Sequence, residues 1–130
     1  MSNRRFNQLI LLTAATLALA GCAKSPQPVT ASYGAQAAGG VLTAKNGMTL
    51  YVFDKDKSNQ SNCNDKCAVN WPPYVGTAET RPDNWQLVER TDGIIQWTYD
   101  GKPVYFFKGD TAAGDTNGDG KDGVWHVINT

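Results

Sequence analysis

The 130-residue chain has little of what most catalytic sites are built from. It contains one histidine and three cysteines, and its 12 basic side chains balance its 12 acidic ones. One histidine leaves a single possible base for a catalytic triad. No nucleotide-binding, zinc-protease or hydrolase fingerprint occurs in the sequence. There is also no basic patch, so we expect no nucleic acid among the partners. These absences predict a non-catalytic protein.

The N-terminus has the pattern of an export signal. Arg4 and Arg5 precede an apolar run of 12 residues, Leu9–Ala20. The run is short for a membrane-spanning helix but suits the core of a signal peptide. The following Leu-Ala-Gly-Cys resembles the lipobox of bacterial lipoproteins. That resemblance implies removal of residues 1–21 and acylation of Cys22. The alternative is an ordinary signal peptide with an incidental cysteine.

The segment after Cys22 is predicted to be a tether. In Gram-negative sorting an Asp after the lipidated cysteine retains the protein in the inner membrane, so Ala23 implies the outer membrane. Burial of acyl chains contributes about 0.8 kcal/mol per CH₂, which anchors a protein with several chains stably. Residues 22–40 are rich in Ala, Gly, Ser, Pro and Gln, as flexible linkers are. The folded part is then a single domain, residues 41–130.

The remaining cysteines, Cys63 and Cys67, are predicted to form a disulfide. The compartment beyond an export signal is oxidising, and a small domain gains from a covalent cross-link. The five-residue loop can close only if the chain turns tightly there. The alternative functions of the pair are redox chemistry and metal binding.

The domain contains a sequence repeat. Two stretches, about 42–73 and 96–128, align without a gap at an offset of 54 residues. Chance hardly explains several matched positions at one offset, so we expect two pseudo-symmetric halves of one domain. The matched pairs are Gly47 and Gly101, Tyr51 and Tyr105, Phe53 and Phe107, Asp56 and Asp110, and Trp71 and Trp125.

Each repeat opens with a hairpin signal. Asn46-Gly47 and Asp100-Gly101 are dipeptides favoured in type I′ turns, and β-forming residues flank both. Both faces of the strands after these turns are apolar, which places them between layers. Further strands are predicted at 85–90 and 123–128, and a helical turn near 64–71. The fold class is therefore mainly β: a small sandwich or partly open barrel built from two pseudo-symmetric hairpin repeats.

Four segments together resemble a known family. They are GMTLYVFDKD, CNDKCAVNWPP, WTYDGKPVYFFKGD and GVWHV. They look like the secreted-repeat bacterial lipoproteins marked by a Tyr-x-aromatic-x-x-Asp motif, and the resemblance covers about residues 41–130. It implies an envelope protein of undetermined function, since family members are described as secreted or lipid-anchored. Asp65 stands where the family pattern leads us to expect a glycine.

The family motif has two possible roles. Its residues could line a groove for a sugar, a peptide or an aromatic ligand. Alternatively, the aromatic rings fill the core and each Asp accepts backbone N–H groups at a strand end. We favour packing, because a repeat preserves packing in both copies while a site is usually needed once. The motif residues are Tyr51, Phe53, Asp56, Tyr105, Phe107 and Asp110.

The loop before the last strand contains part of a calcium-binding pattern. Asp115, Asn117 and Asp119, followed by Gly120, match the first half of an EF-hand loop. The twelfth position would be His126, where a bidentate Glu is required. We therefore expect no calcium here.

Cys63, Cys67 and His126 form a second candidate set, for copper or redox chemistry. Thiolates suit Cu(I) and imidazole suits Cu(II). However, the C-x₃-C spacing is not that of thiol oxidoreductases. The predicted function is a lipid-anchored envelope protein with a non-catalytic binding or structural role, whose partner is an unidentified envelope protein or small ligand. A periplasmic metal-handling or redox protein is the alternative.

Overall fold

A computed structural model describes residues 35–77 and 81–130. The predicted signal peptide, Cys22 and most of the predicted tether lie outside these residues. The described part is mainly β with one short helix, as predicted. The elements are β1 (Gln36–Ala38), β2 (Val41–Thr43), β3 (Tyr51–Phe53), α1 (Lys66–Asn70), β4 (Trp85–Glu89), β5 (Ile95–Tyr99), β6 (Lys102–Pro103), a 3₁₀ turn (Lys121–Gly123) and β7 (Trp125–Val127).

The strands form three small antiparallel sheets rather than a closed barrel. β1 pairs with β2, β3 pairs with β7, and β4, β5 and β6 form the third sheet. β3 and β7 are far apart in sequence, so their pairing joins the first repeat to the second. The predicted strands at 85–90 and 123–128 and the helical turn near 64–71 correspond to β4, β7 and α1.

The two tyrosine segments meet at a local two-fold centre. The N–H of Tyr51 donates to the carbonyl of Tyr105, and the N–H of Tyr105 donates to the carbonyl of Tyr51, both at 2.9 Å. On its other side Tyr51 pairs with Val127, and Tyr105 pairs with Pro73. Val127 and Pro73 are themselves 54 residues apart. Each repeat therefore pairs its tyrosine segment with the tryptophan segment of the other repeat, and the two halves interlock.

The tyrosine segments separate two apolar clusters. Leu50 and Val104 are fully buried in one cluster, which includes Trp85 and Trp97. Tyr51 and Tyr105 are fully buried in the other. Successive side chains of an extended segment point to opposite faces, so alternation sends neighbours to different clusters. The prediction that these strands are apolar on both faces and lie between layers is confirmed.

The second hairpin has the predicted turn. Asp100 and Gly101 have φ values of 49° and 78°, as a type I′ turn requires of both central residues. Tyr99 pairs with Lys102 and Thr98 pairs with Pro103. The register of β5 against β6 is therefore the one that a two-residue loop sets.

The prediction of the same turn at Asn46-Gly47 is wrong. Gly47 has a φ of 81°, but Asn46 does not have a positive φ. The N–H of Gly47 donates to Ala44, and the N–H of Ala44 donates to Met48, so the loop has three residues. The Asn46 side chain accepts the N–H of Met48 at 3.0 Å. This local side-chain hydrogen bond stabilises the turn without requiring a left-handed backbone at Asn46.

Regular structure begins before residue 41, where we expected the domain to start. β1 lies inside the predicted tether and pairs with β2 across Gly39 and Gly40, whose φ values are 61° and 81°. Gly-Gly is a linker composition but also a hairpin dipeptide, and here it makes the turn. No helix within residues 35–77 and 81–130 is long and apolar enough to cross a membrane.

The predicted disulfide is present, and it links the loop before α1 to the first turn of that helix. Cys63 and Cys67 are bonded, with their Cα atoms 5.2 Å apart. Between them Asp65 has φ 54° and ψ −121°. This backbone region strongly favours glycine, the residue that the resemblance led us to expect at this position. Asp65 is exposed and its side chain makes no capping hydrogen bond to the helix. No capping interaction of this side chain therefore offsets the strain in its backbone.

We predict that Asp65→Gly stabilises the protein. Relief of the strained conformation should raise the free energy of unfolding by about 1 kcal/mol, after the larger unfolded-state entropy of Gly is subtracted. For a domain of this size, that corresponds to a melting temperature about 4–8 °C higher. The matched control is Asp122→Gly, because Asp122 has φ 52° and ψ 15° in the left-handed region that Asp tolerates. Equal shifts in both variants would contradict the assignment of strain to Asp65.

Candidate functional site

Four aromatic rings form a continuous stack across the repeat interface. The ring centroids of Trp71 and Trp125 lie 3.8 Å apart with planes 5° from parallel. Phe53 stacks on Trp125 at 4.3 Å, and Phe107 stacks on Trp71 at 4.4 Å. Each tryptophan therefore contacts the phenylalanine of the other repeat. We call this stack the aromatic column.

The two motif tyrosines meet the aromatic column edge-on. Tyr51 lies 5.4 Å from Trp71, and Tyr105 lies 5.2 Å from Trp125. Aromatic pairs of this geometry contribute about 0.5–1.5 kcal/mol each beyond the area they bury. The rings of the motif are thus held in a symmetric cluster at the centre of the molecule.

The motif carboxylates accept hydrogen bonds from the tyrosines of the opposite repeat. The Tyr51 hydroxyl donates to Asp110 Oδ2 at 2.7 Å, and the Tyr105 hydroxyl donates to Asp56 Oδ2 at 2.6 Å. The second oxygen of each carboxylate accepts a backbone N–H from the loop that follows it, from Asn117 to Asp110 at 3.0 Å and from Asn62 to Asp56 at 2.7 Å. Each Asp thus ties a loop of its own repeat to the other repeat.

Burial changes the ionisation of this cluster. It raises the pKa of both tyrosines well above the ordinary value, and the hydrogen bond to an aspartate raises each further. Burial also raises the pKa of Asp56 above its ordinary value, against the opposing effects of hydrogen bonds from Asn62 and Tyr105 and of the Arg90 charge. The phenols therefore remain protonated donors at neutral pH.

A buried arginine belongs to the first repeat's half of the site, and the sequence analysis missed it. Arg90 is 4% exposed. Its Nη1 donates to Ser61 Oγ at 2.8 Å, and Ser61 Oγ lies 2.6 Å from the Tyr105 hydroxyl. Its Nη2 donates to the Cys63 carbonyl at 2.6 Å. Its Nε also pairs with the nearby Asp92 at 3.1 Å. Nothing in the sequence separates Arg90 from a surface arginine, because the partners at Ser61 and Cys63 that bury its guanidinium are distant along the chain.

The second repeat lacks an equivalent network. There the Tyr51 hydroxyl accepts the backbone N–H of Gly118 at 3.2 Å. A Cβ at Gly118 would lie 2.7 Å from the Trp71 ring, so only glycine fits between the loop and the column. The two halves share the same core contacts but differ in the loops that cover them.

The acidic loop before β7 uses its polar groups within the fold. Asp115 Oδ2 accepts the N–H groups of Thr111 and Ala112 at 3.0 and 2.9 Å. These backbone hydrogen bonds lower the pKa of Asp115. Asp119 Oδ1 accepts the N–H of Val127 at 3.1 Å, and Asn117 donates its N–H to Asp110. The carboxylates of Asp115 and Asp119 thus accept backbone N–H groups at separate places, and Asn117 contributes its backbone N–H to Asp110.

The copper or redox set of Cys63, Cys67 and His126 does not form in this structure. The two sulfur atoms are bonded to each other, and Cys63 is fully buried. His126 Nε2 lies 2.7 Å from Asp54 Oδ2 at the surface. Within the part of the chain that the structure describes, no group of three or more His, Cys, Asp or Glu side chains could hold a metal ion.

Comparison with known families agrees with this repeat architecture. A family model described as a secreted repeat of unknown function matches residues 34–74 and 86–129, about two thirds of the chain. The protein belongs to this family. The two matched stretches contain the two halves that interlock around Tyr51 and Tyr105, and the resemblance noted in the sequence is confirmed. No curated protein and no solved structure matches the chain.

We predict that the motif carboxylates stabilise the fold. Asn has one acceptor oxygen where Asp has two, so Asp56→Asn or Asp110→Asn should lose one hydrogen bond and leave a buried partner unsatisfied. The expected cost is about 1–3 kcal/mol per site in the free energy of unfolding. Thermal and denaturant unfolding measure it, with the exposed Asp83→Asn as control. Unchanged stability in both motif variants would contradict this role.

The two variants should also differ in their pH dependence. Because the folded state raises the pKa of Asp56, it binds that proton more tightly than the unfolded state does. The part of the stability that comes from protonation of Asp56 is then present below its ordinary pKa and is lost as the pH rises through the folded pKa. Asp56→Asn should remove this decline from the pH profile of the unfolding free energy, whereas Asp110→Asn should keep it.

Proposed function

We propose that this protein is a lipid-anchored, non-catalytic binding module of the cell envelope, attached to the outer membrane through acyl chains on Cys22. The observation that carries the proposal is the use of the family motif between the repeats. Tyr51 and Tyr105 are fully buried, and their hydroxyls donate to Asp110 and Asp56. The hydroxyls and carboxylates of the motif therefore hold the two repeats together.

This use of the motif favours binding over catalysis. A buried phenol that already donates to a carboxylate is not exposed to a substrate, and its raised pKa makes it a poor acid at neutral pH. A rigid interior with different loops on its two halves is the usual arrangement of a module that binds through its loops. The lipobox resemblance and a secreted family support a location in the envelope.

We predict that Cys22→Ser releases the protein from membranes. A serine cannot form the thioether to the diacylglyceryl group, and a domain without acyl chains has no stable anchor. Fractionation of a Gram-negative host should place the wild-type protein in the outer membrane and the variant in soluble or unprocessed form. Intact mass should show acyl chains on wild type only. Lys24→Ser is the matched control and should behave as wild type. A wild-type chain without acyl mass would contradict the anchor.

The binding role is tested on the same preparation. Native mass spectrometry of wild-type protein, released in mild detergent, should show additional mass that heating removes, or cross-linking in intact cells should capture a defined partner. Absence of retained mass, of cross-links and of binding to isolated envelope fractions would contradict the binding role. That result would not affect the conclusion about the lipid anchor, which the Cys22→Ser experiment tests separately.

A further inference from the structure

A surface cleft lies at one end of the aromatic column. Its volume is about 490 Å³, within the range typical of small-molecule sites. The cleft is open to solvent, and polar and apolar groups line it in similar measure. The lining residues are Asn70, Trp71, Phe107, Lys108, Gly109, Lys121 and Asp122.

The floor of the cleft is aromatic. Phe107 is half-buried and packs on Trp71, which holds the ring in place. The Lys121 ammonium lies over the ring, 5.5 Å from its centroid. Gly109 borders the same ring, and a Cβ there would lie 2.4 Å from Phe107 Cε1. Because Gly109 has no Cβ, the Phe107 ring has room in this position, and the adjoining surface has no side chain.

The corresponding place in the first repeat has different chemistry on the same backbone. The N–H of Lys108 donates to the Asn70 carbonyl at 2.9 Å, and the N–H of Asp54 donates to the Val124 carbonyl at 2.8 Å. These two bonds are equivalent under the 54-residue offset. The scaffold thus presents a cation in one half where it presents a carboxylate in the other.

The remaining differences also make the cleft at Phe107 more basic. Under the same offset Lys121 replaces the disulfide-bonded Cys67. Asp54 is paired with His126. By contrast, among residues 35–77 and 81–130, no carboxylate lies within ion-pair distance of Lys108 or Lys121. Asp122 is the one acid among the lining residues, against two lysines, Lys108 and Lys121. The net charge of the cleft is therefore positive.

We propose that this cleft binds an acidic sugar, meaning a sugar ring that carries a carboxylate or a phosphate. In this proposal the exposed Lys121 ammonium, which lies over Phe107 in the free protein, turns from the ring to the anionic group. The C–H face of the sugar then packs on Phe107 and Gly109, while the anionic group accepts charge-assisted hydrogen bonds from Lys108 and Lys121. A neutral sugar lacks the second interaction, and inorganic phosphate lacks the first. This inference rests on the proposed binding role and names the class of ligand for it.

The experiment measures binding to the mature protein in non-ionic detergent by ¹H–¹⁵N NMR titration. The probes are glucuronate, glucose 6-phosphate, glucose and inorganic phosphate. We expect a Kd on the order of 1 mM for the acidic sugars and at least tenfold weaker binding of glucose and phosphate. The shifted amides should be those of Asn70, Lys108 and Lys121. The two acidic sugars distinguish a carboxylate ligand from a phosphate ligand.

Variants locate the site. Lys108→Asp introduces the residue that the first repeat has, and Lys121→Gln removes the second charge, so each should weaken binding at least tenfold. Lys108→Gln replaces the first variant if Lys108→Asp fails to fold. Lys55→Gln is the matched control, because Lys55 is an exposed lysine outside the cleft, and it should bind as wild type.

Three outcomes would overturn this inference. The first is the absence of shifts at Asn70, Lys108 and Lys121 with every probe. The second is equal binding by wild type and the cleft variants. The third is binding of phosphate alone as tightly as glucose 6-phosphate. None of the three contradicts the proposed function if native mass spectrometry or cross-linking finds another partner, so failure of the inference and failure of the proposed function are distinguishable.

Discussion

The crossed hydrogen bonds from Tyr51 to Asp110 and from Tyr105 to Asp56 determine how the two repeats meet. Each bond runs from the tyrosine segment of one repeat to an aspartate of the other that also accepts a backbone N–H from a loop. The tyrosine segments must therefore lie side by side, and that places Trp71 against the corresponding tryptophan of the second repeat. The strand pairs across the interface follow from the same arrangement. In this structure neither repeat satisfies its own motif, so both repeats are needed to complete the two tyrosine–aspartate hydrogen bonds.

This symmetric interior leaves function to the parts that are not symmetric. In the first repeat, the Cys63–Cys67 loop accepts a hydrogen bond from the buried Arg90, which lies outside that repeat in sequence. In the second repeat, a glycine-rich loop packs against Trp71 and Phe107, near Lys108 and Lys121. Duplication fixes the scaffold twice, and the loops around the shared core differ between the two copies.

Several local features could be predicted because neighbouring residues decide them. Asp100-Gly101 folds as predicted, since both residues tolerate the positive φ that a type I′ turn needs. Asn46-Gly47 looks equivalent but is not, because the Asn46 side chain bonds to Met48 and stabilises a longer loop. Gly39-Gly40 reads as a linker by composition, yet it turns a hairpin. Dipeptide signals thus mark turns reliably but leave the turn type to nearby side chains.

The sequence by itself determined the mainly β class, the two repeats, the disulfide and the alternation that sends neighbouring side chains to two clusters. Only the tertiary structure decided that Tyr51 bonds to Asp110 rather than to Asp56, its neighbour in sequence. The spacing between tyrosine and aspartate is the same in both repeats. It therefore does not indicate whether a tyrosine bonds to the aspartate of its own repeat or to that of the other repeat. The burial of Arg90 is hidden for the same reason, because its acceptors come together only when the chain has folded. Local geometry follows from adjacent residues, whereas long-range pairing follows from the packing of the whole domain.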